Sequence, residues 1–446
     1  MTRSAVRSSL AALVALAFAS AAQAQPLTAD GAVAIALKQN PQVVLAKASV
    51  LQARANLYSS YSGVLPSISA SWTKQYSRST NNEGTQIFGN TEVSSASDRE
   101  DRTSTTPQIQ GRWNVLDLSA IKGWRAAGHG MDAAKLGERS TRQLAVLDVK
   151  RQFYSVVRQV RLALVADAAL KLARDNERRV RSLFEVGSVA RNDLLRARVS
   201  TSQSELDSLV SHQQVVVQRD LLASLLGIPE SQLGEVDTAL VVAPRSYDQA
   251  AILDEASRQR PDIQAAEADL RAAHANLTSA NFQRLPYVAV NGLAQFKPES
   301  HTDIFGATDE SGTFKSERYL AGSVSINLPI FTGMLTESRI ASARAGLVRS
   351  EENRNALRRN LAAEVNEVLI SYQAAVEGDR VAADAVESAL ENLKLIQQKY
   401  NVGSSTILDL IDAQVSATRA AADRQRTLAA IRVAEAEVDR VRGLGD

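Results

Sequence analysis

An internal repeat constrains this chain more than any other feature. "FEVGSVARNDLLRARVSTSQSELD", residues 184–207, aligns without a gap with "YNVGSSTILDLIDAQVSATRAAAD", residues 400–423, placing Val186-Gly187-Ser188 on Val402-Gly403-Ser404 and Asp193-Leu194 on Asp409-Leu410. A second stretch beginning Asn40-Pro41 aligns with one beginning Arg260-Pro261 and brings Ala55-Asn56-Leu57 onto Ala275-Asn276-Leu277. The offsets agree, so the chain is a tandem duplication of a unit of roughly 215 residues, far longer than the unit of a stacked-repeat protein. Whatever the chain builds, two similar halves build it together.

Each half carries the same order of elements. A helical stretch comes first, from Thr28 to Tyr61 and from about Asp248 to Phe282. The period then changes to two: Ile68, Ala70 and Trp72 alternate with Ser67, Ser69, Ser71 and Thr73, and Ile109, Gly111, Trp113 and Val115 alternate with Gln108, Gln110, Arg112 and Asn114. The second half answers with Val288, Val290, Gly292, Ala294 and Phe296, then with Leu320, Gly322, Val324, Ile326 and Leu328. Strands are expected at about 65–74, 107–116, 286–296 and 319–329, each about ten residues, the length of a tilted strand crossing a bilayer. Polar loops, Gln75 to Thr106 and Lys297 to Arg318, separate the members of each pair. A soluble sheet with one wet face is the alternative; two matching hairpins, with Trp72, Trp113 and Tyr319 near strand ends, favour membrane strands. Unpaired strand edges in hydrocarbon cost several kcal/mol per backbone group, and four strands do not close a barrel of useful bore. Copies of the chain must therefore assemble, and three would supply twelve strands.

Long helices follow, expected at about 119–184 and 333–400, each uninterrupted by proline and on the order of 100 Å long. Shorter helices return after each Val-Gly-Ser, at about 192–226 and 406–442. Leu162, Val165, Ala169 and Leu172, like Val386, Ala389, Leu393, Ile396 and Tyr400, step by three and four, as coiled-coil core does. Gly187 and Gly403 permit the positive φ that a sharp reversal between helices needs. The two repeats divide as 25–235 and 236–446, joined near Gly227 to Pro244.

The first 24 residues read as a secretory signal: Arg3 and Arg7, an apolar run from Leu10 to Ala19, then Ala22-Gln23-Ala24. Removing it takes two arginines from 51 basic residues and leaves 49 against 49 acidic ones, a balance that gives no footprint for nucleic acid. Cysteine is absent, which excludes disulfides and thiol chemistry. His129, His212, His274 and His301 are scattered without metal-binding spacing, and no glycine-rich loop follows a strand. The expectation is a protein that is not an enzyme and carries no cofactor.

Signal, doubled strand and helix hairpins, "WNVLD" from Trp113, "LPIFTG" from Leu328 and the two Val-Gly turns together resemble the TolC-like outer-membrane efflux proteins over essentially the whole mature chain. The resemblance implies a mainly α protein with a membrane β-barrel: a homotrimer whose twelve-stranded barrel continues into a twelve-helix periplasmic tunnel. It implies an outer-membrane exit duct for efflux or type I secretion in a Gram-negative bacterium, in contact with outer-membrane lipid and working with a periplasmic adaptor and an inner-membrane pump. The turns Val186, Gly187, Ser188, Val402, Gly403 and Ser404 would dock the adaptor. Asp193 and Tyr400 match a pair that links the closed tip, and Asp409 and Asp412 match an acidic ring at the entrance. Ser405 stands where relatives place a linking arginine, with Arg191 a candidate replacement. Asp409 and Asp412 also fit a plainer role, acidic residues in the first turns of a helix after a serine cap. The cargo stays open among drugs, metals and secreted protein. An exported trimeric coiled-coil fibre is the alternative, and it leaves the alternating strands unexplained.

Overall fold

The computed structural model describes residues 26–80, 85–88, 91–94, 99–240, 242–298 and 316–444. The expected signal, residues 1–24, lies outside them, as does most of the expected loop 297–318. The first half comprises α1 (Ala29–Gln39), α2 (Pro41–Tyr61), β1 (Ser67–Thr80), β2 (Thr85–Phe88), β3 (Thr91–Ser94), β4 (Arg99–Leu116), α3 (Leu118–Glu185) and α4 (Arg191–Leu226). The second comprises α5 (Gln249–Gln259), α6 (Pro261–Phe282), β5 (Tyr287–Pro298), β6 (Ser316–Asn327), α7 (Leu335–Asn401) and α8 (Ile407–Val441).

Two expectations are corrected. The leading helix of each half is two helices, broken at Asn40-Pro41 and Arg260-Pro261. Proline excludes the helical region for the residue before it, and Asn40 (ψ 128°) and Arg260 (ψ 120°) are accordingly extended. β1 and β4 also run well past Gln75 and Thr106, taking residues 75–80 and 99–106 from the two ends of the segment expected as loop. Their backbones stay paired from Ser67↔Arg112 to Thr80↔Arg99, because a ladder needs no apolar face once its partner strand is in register.

The chain divides into two compact units. One holds Gln52–Asp132 and Ala268–Glu352, and with them the sheet, antiparallel in the order β1-β4-β5-β6. Alternation sorts its faces: Ile68 is 78 % exposed, Trp72 76 % and Leu320 77 %, all on one side. The opposite side presents Ser67, Ser69, Gln110, Arg112, Asn291 and Ser323 around a hollow of ≈ 510 Å³. β1 and β6 each keep one edge unpaired among the described residues. Trp113 fastens the base of the sheet, its Nε1–H donating to the Val64 carbonyl at 2.9 Å.

The other unit comprises Ala133–Glu267, Asn353 onward and the chain up to Leu51. Its duplicated cores are built alike. Ala32 and Ala36 pack with Val149, Phe153, Val156, Val157, Leu222 and Leu226; Ile252 and Ala256 pack with Leu361, Val365, Leu369, Ile431, Val438 and Val441. Fully buried Ala32 and Ala256 let the helices approach closely. Each broken helix is docked at its break. Gly227 (φ +73°) passes so close to α1 that an added Cβ would lie 2.6 Å from the Gln39 carbonyl oxygen, and Gly443 (φ +83°) meets Gln259 similarly.

What fills the two breaks differs. Buried Asn40 donates to the Leu225 carbonyl (2.7 Å) and caps α2 by accepting from the Gln42 amide (2.8 Å). Arg260 in the same place is a cation with only 8 % of its side chain exposed; it pairs with Asp262 at 2.6 Å and with Glu364, which also holds Arg440. Burial works to raise the Asp262 carboxyl, yet its hydrogen bonds and charge contact with Arg260 hold it below the ordinary value. A carboxylate lowered on folding stabilises the fold above the unfolded carboxylate pKa of about 3.9 and loses that contribution as pH falls through the folded value. Acid is therefore expected to loosen the α5–α6 break before the neutral Asn40 break. Amide exchange of Gln264 and Val44 between pH 5 and 3, corrected for intrinsic rates, checks this; equal loss of protection would contradict it.

Candidate functional site

The two helical reversals form one tip within the second unit. Backbone bonds close both in the same way: Gly187 donates to Phe184 and Ser188 to Leu183 at 2.9 and 2.8 Å, while Gly403 donates to Tyr400 and Ser404 to Lys399 at 3.1 and 2.9 Å. Gly187 (φ +75°) and Gly403 (φ +77°) occupy the left-handed position that this Schellman arrangement requires. Val186 (74 %) and Val402 (79 %) stand bare in solvent beside them.

The returning helices begin differently. Thr406 caps α8, accepting from the Asp409 amide at 3.2 Å, and the Asp409 carboxylate accepts in return from the Thr406 amide (2.8 Å) and from the hydroxyls of Thr406 (2.7 Å) and Ser405 (3.0 Å). These bonds, the Thr406 amide foremost, hold the Asp409 carboxyl below its ordinary value. Asp412, one turn on, is exposed and has no hydrogen bond or ion pair among the described residues. Ala190 stands at the start of α4 where α8 has Thr406, and makes no side-chain cap. Arg196 is the repeat counterpart of Asp412, so the two halves differ in charge at that position. Arg191 opens α4, exposed and unpaired among the described residues.

A small apolar cluster joins the two hairpins. Val180 of α3, Leu194 and Ala197 of α4, and Ile407 and Leu410 of α8 are buried together, with Leu393, Ile396 and Tyr400 of α7 against them. Asp193 and Tyr400, the sequence-matched link, sit close enough for the carboxylate to influence the phenol. Burial first, and Asp193 second, raise the Tyr400 pKa while Arg179 opposes them. The Tyr400 hydroxyl is buried and finds no hydrogen-bond partner among the described residues. At the tip, a polar contact between the hairpins is Arg179 Nη1 donating to Asn401 Oδ1 at 2.9 Å. The sequence carried no signal for it, since the two residues lie 222 positions apart. The Leu194/Leu410 equivalence was visible in the repeat alignment, but not that the two leucines share one cluster.

Above the cluster, the stripe Leu162, Val165, Ala169 and Leu172, expected as closed coiled-coil core, lines an open groove of ≈ 1100 Å³. Leu195 and Val199 of α4, and Leu408, Ile411 and Val415 of α8, line the other walls. The hairpins touch at the tip cluster and again where Arg151 of α3 pairs with Glu437 of α8 at 2.7 Å, and the heptad stripe of α3 between these contacts faces the groove. Among the described residues no helix is long and apolar enough to cross a membrane, and no group of three or more His, Cys, Asp or Glu is gathered to hold a metal.

The profile of the family described as outer membrane efflux protein matches residues 32–228 and 252–443. Nodulation protein T of Rhizobium leguminosarum bv. trifolii is 26 % identical over 318 residues, 70 % of this chain and 66 % of that protein. The outer membrane protein TolC of Vibrio cholerae is 24 % identical over 278 residues, 61 % and 62 % of the two chains. Both alignments thus span slightly less than two thirds of those relatives. The pyoverdine export outer membrane protein OpmQ of Pseudomonas putida is 26 % identical, covering 87 % of this chain and 79 % of its own. Among solved structures, the Campylobacter jejuni CmeC outer membrane channel matches with a TM-score of 0.78 at 16 % identity, over 93 % of this chain and 85 % of that one. CusC matches at 0.76 and 18 %, over 94 % and 92 %. These likenesses show the fold.

Proposed function

The chain belongs to the outer membrane efflux protein family of the Gram-negative outer membrane, and from that premise we propose that it is the passive exit duct of a tripartite efflux or type I secretion system. One observation carries the reading: the four-stranded sheet bares large apolar side chains such as Ile68, Trp72, Leu320 and Val324 on one side and lines a hollow on the other mainly with polar and small residues, while two strand edges stay open. Such a sheet suits a barrel closed by copies of itself, here a homotrimer, with lipid outside and water within. The helices then form the periplasmic tunnel, and the tip cluster around Leu410 is its closure. An adaptor drives opening by docking at Val186, Gly187, Ser188, Val402, Gly403 and Ser404. The groove above the tip is a fitting seat for one of its helices, since heptad-spaced residues on three sides are what an added helix packs against. An inner-membrane pump supplies the energy.

Asp412 and Asp409 form the acidic entrance. The capping box ties the Asp409 carboxylate to its own helix end, so the solvated, unpartnered Asp412 contributes more to ion preference. Single-channel recording of the full-length protein in a planar bilayer tests the reading. A small cation-preferring conductance is expected, with the preference falling several-fold in Asp412→Ala and less in Asp409→Ala. Asp409→Ala should instead loosen the first turn of α8, because the Thr406 amide loses its carboxylate partner while the Thr406 cap remains. Absence of any conductance from folded protein would favour the fibre reading. Conductance that is unchanged in Asp412→Ala would leave the duct intact and return both aspartates to helix-start roles.

A further inference from the structure

We propose that Lys74 and Arg318 bind the phosphates of glycolipids in the outer leaflet of the surrounding membrane, at the seams between copies of the chain. The proposal rests on the barrel reading above. Strand register places the outward face row by row. Ala70, Ile109, Ala294 and Leu320 are level with one another, an apolar row across all four strands. Two residues farther toward the hairpin ends, Trp72 pairs with Pro107 and Phe296 with Arg318; beyond Trp72 comes Lys74, opposite Thr105. The first outward cations therefore stand where the apolar band ends, Arg318 level with Trp72 and Phe296 and Lys74 one step beyond them, aromatics of the kind that mark a membrane interface.

The two ends of the band differ. At the other end the outward positions are Trp113, Val290, Val324, Val288 and Ile326, with no cation on the described strand residues. Arg284, just past that end, is committed to Glu337 at 2.6 Å. Arg78, farther out on β1, stacks on Tyr76 and donates to its hydroxyl at 3.0 Å. Lys74 and Arg318 are exposed and make no hydrogen bond or ion pair among the described residues.

β1 and β6 are the strands with an open edge. Closing the barrel brings the β6 edge of one copy beside the β1 edge of the next, so each seam carries one Arg318 and one Lys74. Two cations from different copies, above an apolar wall, fit a phosphorylated lipid: the phosphate takes charge-assisted hydrogen bonds while its acyl chains lie on Trp72 and Leu320. Free phosphate would gain only the charge contact.

The test is the thermal stability of the detergent-solubilised oligomer with added bis-phosphorylated lipid A, the same lipid dephosphorylated, or inorganic phosphate. The phosphorylated lipid is expected to raise the dissociation midpoint, with at least tenfold weaker apparent affinity for the dephosphorylated form. Lys74→Gln/Arg318→Gln should lose the same tenfold and still conduct, whereas Lys74→Arg/Arg318→Lys should bind as the unmodified protein does. Equal stabilisation by the dephosphorylated lipid, full effect of inorganic phosphate alone, or unaltered affinity in the glutamine variant would each overturn the proposal. A monomeric unmodified protein would overturn the barrel reading beneath it.

Discussion

Leu410→Ala is expected to unlock the tip. Leu410 is fully buried where the two hairpins meet, beside Ile407 and its repeat counterpart Leu194. Truncating such a leucine costs about 3 kcal/mol, the lost transfer energy plus the cavity left behind. If the cluster comes apart on opening, that loss shifts the closed-to-open ratio by a factor of roughly 100. Single-channel recordings should show long openings that the unmodified protein lacks, and amides in the first turns of α8 should exchange faster. Val365→Ala is the matched control, since Val365 is 1 % exposed in the core beside the Arg260 break, away from the tip cluster. It should lower overall stability without lengthening openings. Gating that is unchanged in folded Leu410→Ala would mean the cluster does not hold the duct shut.

Gly227→Ala is expected to be among the most damaging single-methyl changes in the chain. The substitution meets two penalties. A side chain at φ +73° is strained by about 1 kcal/mol, and the new Cβ would sit 2.6 Å from the Gln39 carbonyl oxygen, a backbone atom that cannot move aside without shifting α1. Together they amount to about 3 kcal/mol. Gly187→Ala isolates the first penalty, because Gly187 has nearly the same φ, +75°, and open space around its Cβ position. It should cost only about 1 kcal/mol. Denaturant unfolding of the two variants side by side decides the matter: equal losses would show that the close approach of α1 contributes nothing.

Much of the architecture was legible in the residues because it follows from local patterns. Period-two alternation set out the four strands of the sheet, and proline-free runs set out the long helices. Gly187 and Gly403 marked the reversals, since only a left-handed residue lets a helix fold back so sharply. The helix breaks are equally local, since Pro41 and Pro261 push the residue before each of them out of the helical region. The candidate site was legible only in part. Asp409 was visible both as an acidic candidate and as a first-turn residue, and the capping box with Thr406 settles its hydrogen bonding. Asp193 lies near Tyr400 without bonding its hydroxyl, and at the tip Arg179 bonds Asn401 across the hairpins.

The sequence by itself determined the duplication, by direct comparison of its halves, and the order of elements, the reversals and the two-faced strands, because each of these three depends on residues within a few positions of one another. Only the tertiary structure decided which of two equivalent positions does what. Asn40 and Arg260 are one position of the repeat, but the first caps a helix and the second anchors a buried ion cluster with Glu364 and Arg440. Arg196 and Asp412 are likewise one position, lying respectively on the wall of the groove and on the exposed face beside the capping box. Asn40 also reaches the Leu225 carbonyl and Arg260 reaches Glu364, partners more than a hundred residues away that helix packing brings near. A repeat alignment records which positions correspond, and carries no information on which distant side chains they meet.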